Sequence, residues 1–148
     1  MQEMHLSKQA AIARVGAGVA LASNTDSNSD RLDMAGFDGV LFMCRIDDSV
    51  ATGVAALGVE QNDADSDSGM AAISGASASL TCAVNDDING KYLIVDVFRP
   101  RKRYVQGVRT SATANIAFGE IWAIRYAGPP KLPVSYSGSA HTAVQPTA

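Results

Sequence analysis

Histidine and cysteine are scarce in this 148-residue chain, two of each, and charged side chains make up only 18% of it. Histidine is the side chain most used for acid–base work near neutral pH. His5 and His141 both fall in terminal segments, where little would fix a productive geometry. Cys44 and Cys82 lack CxxC spacing and have no histidine nearby. They read as buried small hydrophobes in a reducing compartment, with a single disulfide as the lesser reading. No Gly-rich phosphate loop, GxSxG elbow or HExxH occurs. No apolar run approaches the roughly 18–20 residues of a membrane-crossing helix. The segment Ala20-Leu21-Ala22 has the look of a signal-peptidase site, but Arg14 interrupts what would be its apolar core. Together these absences argue against an enzyme and call for no cofactor and no metal.

What is present suits close packing. Hydrophobic residues reach 47%, and Ala, Gly, Ser and Thr are abundant. The length fits one domain with its own core. The net charge of −3 is unevenly distributed. Residues 1–90 carry four basic side chains against thirteen acidic ones, and residues 91–148 carry eight against Asp96 and Glu120. Such a chain can neutralise itself, or its acidic half can meet the basic half of a neighbouring copy. A nucleic-acid binder would show a basic excess over the whole domain.

Strand signals dominate. Residues 1–9 are polar and read as an arm. Ala10–Ala22 contains Gly16, Gly18, Val15 and Val19, which favour two short strands, or one with a bulge, over a helix. Ser23–Asp30 is a polar loop by composition, and residues 1–30 form an N-terminal arm with the first strands. A sandwich core spans 31–127. Within it Arg31–Met34 is a short candidate strand, and residues 35–39 form a turn. Val40–Ile46 is an apolar run that reads as a strand covered on both faces. Thr52–Gln61 alternates, Asn62–Gly69 is a loop, and weak strands follow near Met70–Ser74 and Ala78–Val84. Asn89-Gly90 is the strongest hairpin signal. In Tyr92–Phe98, Leu93, Val95 and Val97 line one face and Tyr92, Ile94, Asp96 and Phe98 the other. Tyr104–Arg109 and Ile116–Tyr126 complete an all-β sandwich or barrel of about seven or more strands. Four of the five prolines lie beyond residue 127, so residues 128–148 read as an extended tail.

Two charged segments are candidate subunit or capsid contacts. Asp63, Asp65 and Asp67 open like a calcium loop, yet the EF-hand glycine and closing glutamate are replaced by Ser68 and Ser74. An acidic hairpin loop is the better reading. Arg99, Arg101, Lys102 and Arg103 place four cations in five residues, able to clamp a partner's carboxylates. A solvated loop gives the same composition. The adjacent acids Asp47-Asp48 and Asp86-Asp87 read as turn caps rather than a catalytic pair.

Longer blocks carry a resemblance. Leu32-Asp33-Met34-Ala35-Gly36-Phe37-Asp38-Gly39-Val40-Leu41-Phe42 resembles a motif of small proteins encoded in the head-gene clusters of tailed phages. So does Leu93-Ile94-Val95-Asp96-Val97-Phe98-Arg99-Pro100-Arg101-Lys102-Arg103-Tyr104-Val105, followed by Thr110–Asn115 and Glu120–Tyr126. The likeness covers roughly residues 30–128. It departs in having Phe98 where tyrosine is commoner, and in the Ala-rich segment before residue 30. It implies a capsid decoration (cement) protein, a homo-oligomer, expected as a trimer, seated on the major capsid protein of an icosahedral head. The implied place is the capsid surface of a virion assembled in a bacterial cytoplasm, with no nucleic-acid or membrane partner. Within that expectation the sandwich packs on symmetry mates, burying Trp122, and the acidic half of one subunit meets Arg99–Arg103 of another. A tail-tube or head–tail connector subunit is the alternative. A glycan-binding module ranks below it.

Overall fold

The computed structural model describes residues 5–127 and Ala140. Among them, one helical turn, α1 (Leu6–Gln9), precedes ten strands. These are β1 (Ala11–Gly16), β2 (Val19–Ala22), β3 (Thr25–Asn28), β4 (Leu32–Asp33), β5 (Gly39–Ser49), β6 (Val54–Asn62), β7 (Ala71–Thr81), β8 (Tyr92–Phe98), β9 (Tyr104–Ala112) and β10 (Ile116–Tyr126).

The strands pair antiparallel in two sheets of five. Sheet A runs β1-β10-β5-β8, with β2 also on β10, and sheet B runs β3-β9-β6-β7, with β4 also on β9. Alternation decides which side chains enter the space between them. In β8, Leu93, Val95 and Val97 are buried and their neighbours exposed, as the sequence pattern required. They join Phe42, Cys44 and Ile46 of β5, Ala55, Leu57 and Val59 of β6, Val105 of β9 and Ile121 of β10 in one core. Each fully buried large aliphatic or aromatic side chain contributes roughly 1.5–3 kcal/mol. Gly107 sets how closely the sheets approach. A Cβ there would stand 2.8 Å from the Ile121 side chain and 2.9 Å from the Phe42 ring, so any larger residue would have to displace them.

The all-β sandwich is therefore as read, but several of its elements differ. Thr25–Asn28, read as loop, is strand β3, paired to β9 from Thr25↔Ser111 to Asn28↔Val108. Its polar side chains gave no apolar period because this strand closes the edge of sheet B. Consequently residues 11–28, set apart in sequence from a core starting at residue 31, are woven into both sheets through β9 and β10. In the N-terminal arm, residues 6–9 wind into α1. The weak strands near 70–74 and 78–84 are one strand, β7, which ends at Thr81 and turns at Gly75 with φ +79°. Asn89-Gly90 does not make a hairpin. It completes the crossover from β7 in sheet B to β8 in sheet A, where the Gly90 amide donates to the Ile46 carbonyl at 2.7 Å. Among the described residues the β5 run finds cover on one face, since Leu41 and Met43 stay half-buried. The split of residues 11–22 into two strands with an irregularity between Arg14 and Gly16 is as expected. The tail from 128 lies outside the described residues, apart from Ala140.

Candidate interaction surface

At one end of the sandwich the loops after β4, β6 and β8 come together, and the charged segments with them. The β8–β9 loop begins at Arg99, in the left-handed region at φ 56°, whose amide donates to the Asp38 carbonyl at 2.6 Å. Arg101 is held through its backbone, its amide donating to Gln61 Oε1 at 3.0 Å. Arg103 reaches across to β4. Its Nε and Nη2 each donate to one oxygen of Asp33 at 2.9 Å, the two-pronged geometry that suits guanidinium and carboxylate. The Arg103 hydrogen bonds hold the Asp33 carboxyl below the usual carboxylate range. Asp33 in turn raises Arg103.

The acidic loop is likewise engaged by its own chain. Arg31 donates from Nε to Asp65 at 2.6 Å and from Nη1 to Asp67 at 2.7 Å. Asp67 also accepts from Gln106 Nε2 at 2.9 Å, and these hydrogen bonds, Arg31's first, hold its carboxyl below the usual carboxylate pKa. Asp63 lies 3.5 Å from Lys102 Nζ. The Asp65 and Asp67 carboxylates thus face a guanidinium, and among the described residues no three His, Cys, Asp or Glu side chains converge as a metal site would require. Of the seven charged residues singled out in sequence, five form ion pairs inside the subunit. These pairs are the arrangement that the self-neutralising alternative describes. Arg99 and Arg101 form no salt bridge among the described residues; Arg99 lies over the Phe98 ring at 5.1 Å. They border an open groove of about 550 Å³ floored by Met34, Phe37 and Pro100.

Of the adjacent acids, Asp87 caps a turn, whereas Asp47 and Asp48 lie within β5 and Asp47 accepts from Arg45 at 2.7 Å. Asp48 accepts from the Ser49 amide at 2.9 Å, and Asp87 accepts from the Ala83 and Val84 amides at 3.0 and 3.2 Å.

Three features escaped sequence reasoning. Arg109 of β9 is buried between the sheets, and burial depresses its affinity for its proton without discharging a guanidinium. Arg125 of β10, half-buried, stacks over the Phe37 ring at 4.8 Å and donates to the Asp33 carbonyl at 2.7 Å. Tyr126 lays its ring across Gly39 and donates its hydroxyl to Asp96; burial first, then that carboxylate, push the phenol up to about 12. A lone arginine within an apolar strand is a weak signal of burial, and the other two contacts join residues far apart in sequence. Trp122 lies on the outer face of sheet A, 40% exposed, rather than in the core.

No protein-family model matches the chain, and a search of curated proteins returns no match. Among solved structures, the PBSX exported protein XepA superposes with a TM-score of 0.53 at 15% identity, over 98% of this chain. The chain spans 46% of that protein's length. The likeness is one of fold. A structure of Bacillus endospore appendages, disulfide-linked pili, gives a TM-score of 0.43 at 11% identity, covering 91% of this chain and 99% of that one. The Tobacco streak virus coat protein gives 0.36 at 12% identity, covering 93% and 100%. These two likenesses are too distant to bear on function.

Proposed function

We propose that this chain is a virion structural protein: a capsid decoration (cement) protein that forms trimers and stabilises an icosahedral head by binding the major capsid protein. It acts through surfaces and catalyses nothing. The observation that carries this reading is spatial. The blocks that resemble phage head-cluster proteins are scattered over the sequence, yet they close into one assembly around Asp33. Arg103 from the second block binds its carboxylate, and Arg125 from the last block binds its carbonyl. Arg99 of the second block ties to Asp38 of the first, and Tyr126 of the last to Asp96 of the second. Scattered residues that resemble one family and also cooperate in one place make a coherent structural unit. Beside that unit, Arg99 and Arg101 supply cations without carboxylate partners among the described residues, available to an acidic site on a shell.

Binding that favours the assembled shell stabilises it by mass action, and repetition over many copies multiplies a modest interface. The test is light scattering on the purified protein followed by co-sedimentation with isolated heads. A trimer that co-sediments, and an Arg99→Ala/Arg101→Ala variant that co-sediments less, are expected. A monomer without affinity for shells overturns the reading. Rings of six or twelve would replace it with a tail-tube or connector subunit.

A further inference from the structure

The composition of Val40–Ile46 calls for cover on both faces of its strand, and the described residues supply one. The shortfall extends across the outer face of sheet A. Tyr92, Ile94 and Phe98 on β8 are 55%, 51% and 59% exposed. The register aligns these side chains in rungs. Trp122, Met43 and Ile94 stand side by side across β10, β5 and β8, and Ile124, Leu41 and Asp96 form the next rung. Three partly exposed aromatics of roughly 150–250 Å² each, with their aliphatic neighbours, leave on the order of 400 Å² of apolar surface, interrupted on β8 by Asp96 between Ile94 and Phe98. That is a large patch for a monomer, about half of the ~800 Å² each partner contributes to an ordinary interface, and close to the apolar share of a homodimer contact.

The rim identifies the occupant. Two of its carboxylates are matched by guanidinium groups within the chain, Glu120 by Arg14 at 3.7 Å and Asp47 by Arg45 at 2.6 Å, and the Asp96 carboxylate accepts a hydrogen bond from the Tyr126 hydroxyl. A strongly charged partner gains nothing from such a rim. An apolar and near-neutral surface fits it, and a second copy of the chain carries one in this same face.

We infer that copies of this chain meet through the outer face of sheet A, a deepening that rests on the oligomer proposed above. In the trimer the three faces turn toward the common axis, and each packs its outer side chains against those of both neighbours. Leu41 and Met43 thereby receive the second cover that their strand requires.

The experiment is a dilution series of the full chain by light scattering, for wild type, Ile94→Lys, and Val84→Lys as a control on a loop away from the face. Ile94→Lys is expected to raise the dissociation midpoint roughly tenfold or more, and Val84→Lys to leave it unchanged. Trp122 is the only tryptophan, so its emission reads the face directly. It should shift to the red and become more open to acrylamide as wild type is diluted, which decides the matter even if Ile94→Lys fails to fold. An Ile94→Lys oligomer as tight as wild type, with Trp122 emission indifferent to dilution, overturns the inference and leaves the functional reading standing. A wild-type monomer overturns both. A blue shift of Trp122 on adding soluble bacterial-surface oligosaccharide, with no change in mass, would make the face a glycan platform and also overturn it.

Discussion

The guanidinium of Arg109, rooted in sheet B, crosses the sandwich and donates from Nη1 to the Gly119 carbonyl of β10 at 2.8 Å. The same nitrogen reaches the Ala17 carbonyl at 2.7 Å. A buried cation is thus held by backbone dipoles rather than by a carboxylate. It ties the β1–β2 connection, β9 and the irregular part of β10 together.

Arg109→Ala leaves those carbonyls without a donor and opens a cavity, which should cost about 3 kcal/mol of stability. Arg109→Lys should also destabilise, because an ammonium on a flexible stem does not reproduce the planar fork. Denaturant unfolding measures both, and stability equal to wild type in either would contradict this account.

Asp33 and Asp67 have lowered folded-state pKa values, so their contribution is full above the unfolded value near 4 and fades as pH falls through the lower folded values. Unfolding midpoints should therefore drop on acidification below about pH 4. Asp33→Asn should be less stable at neutral pH and show a shallower acid limb. Midpoints that run parallel for the two proteins from pH 6 to pH 2 would count against the Arg103 pairing.

Cys44 and Cys82 are buried and unbridged, and burial raises the Cys44 thiol to about 12. Native protein should resist maleimide at neutral pH, and unfolded protein should take up two labels per chain. Because the raised group favours the neutral thiol in the fold, stability should decline as pH rises above about 8.5, where the unfolded thiol ionises. Rapid labelling of native protein would show that the core is open there.

Gly39 exists so that the Tyr126 ring can lie across it. Gly39→Val should displace that ring and cost about 1–3 kcal/mol. It should also free one phenol, seen in an ultraviolet titration, to ionise nearer its ordinary range. A late-titrating tyrosine that persists in Gly39→Val would disprove the contact.

The strand pattern was readable because side-chain alternation is a local property. Tyr92–Phe98 and Ile116–Tyr126 are strands at the boundaries their own residues mark. Polar edge strand β3 was not readable, since Thr25 finds its partner Ser111 86 positions away and buries nothing that would mark it. The crossover at Asn89-Gly90 was misread for a related reason: a turn signal fixes the reversal of the chain, not the sheet into which the next strand enters.

The sequence by itself determined an all-β chain, the inward and outward faces of its best strands, and the segments where charge would gather. Tertiary structure alone decided that Arg31 meets Asp65 and Asp67, that Arg103 meets Asp33, and that Arg109 lies inside. The reason is physical. Period and composition act between neighbours along the chain, whereas ion pairing and burial depend on which distant strands share a sheet, and that is settled only when the two sheets close on one another.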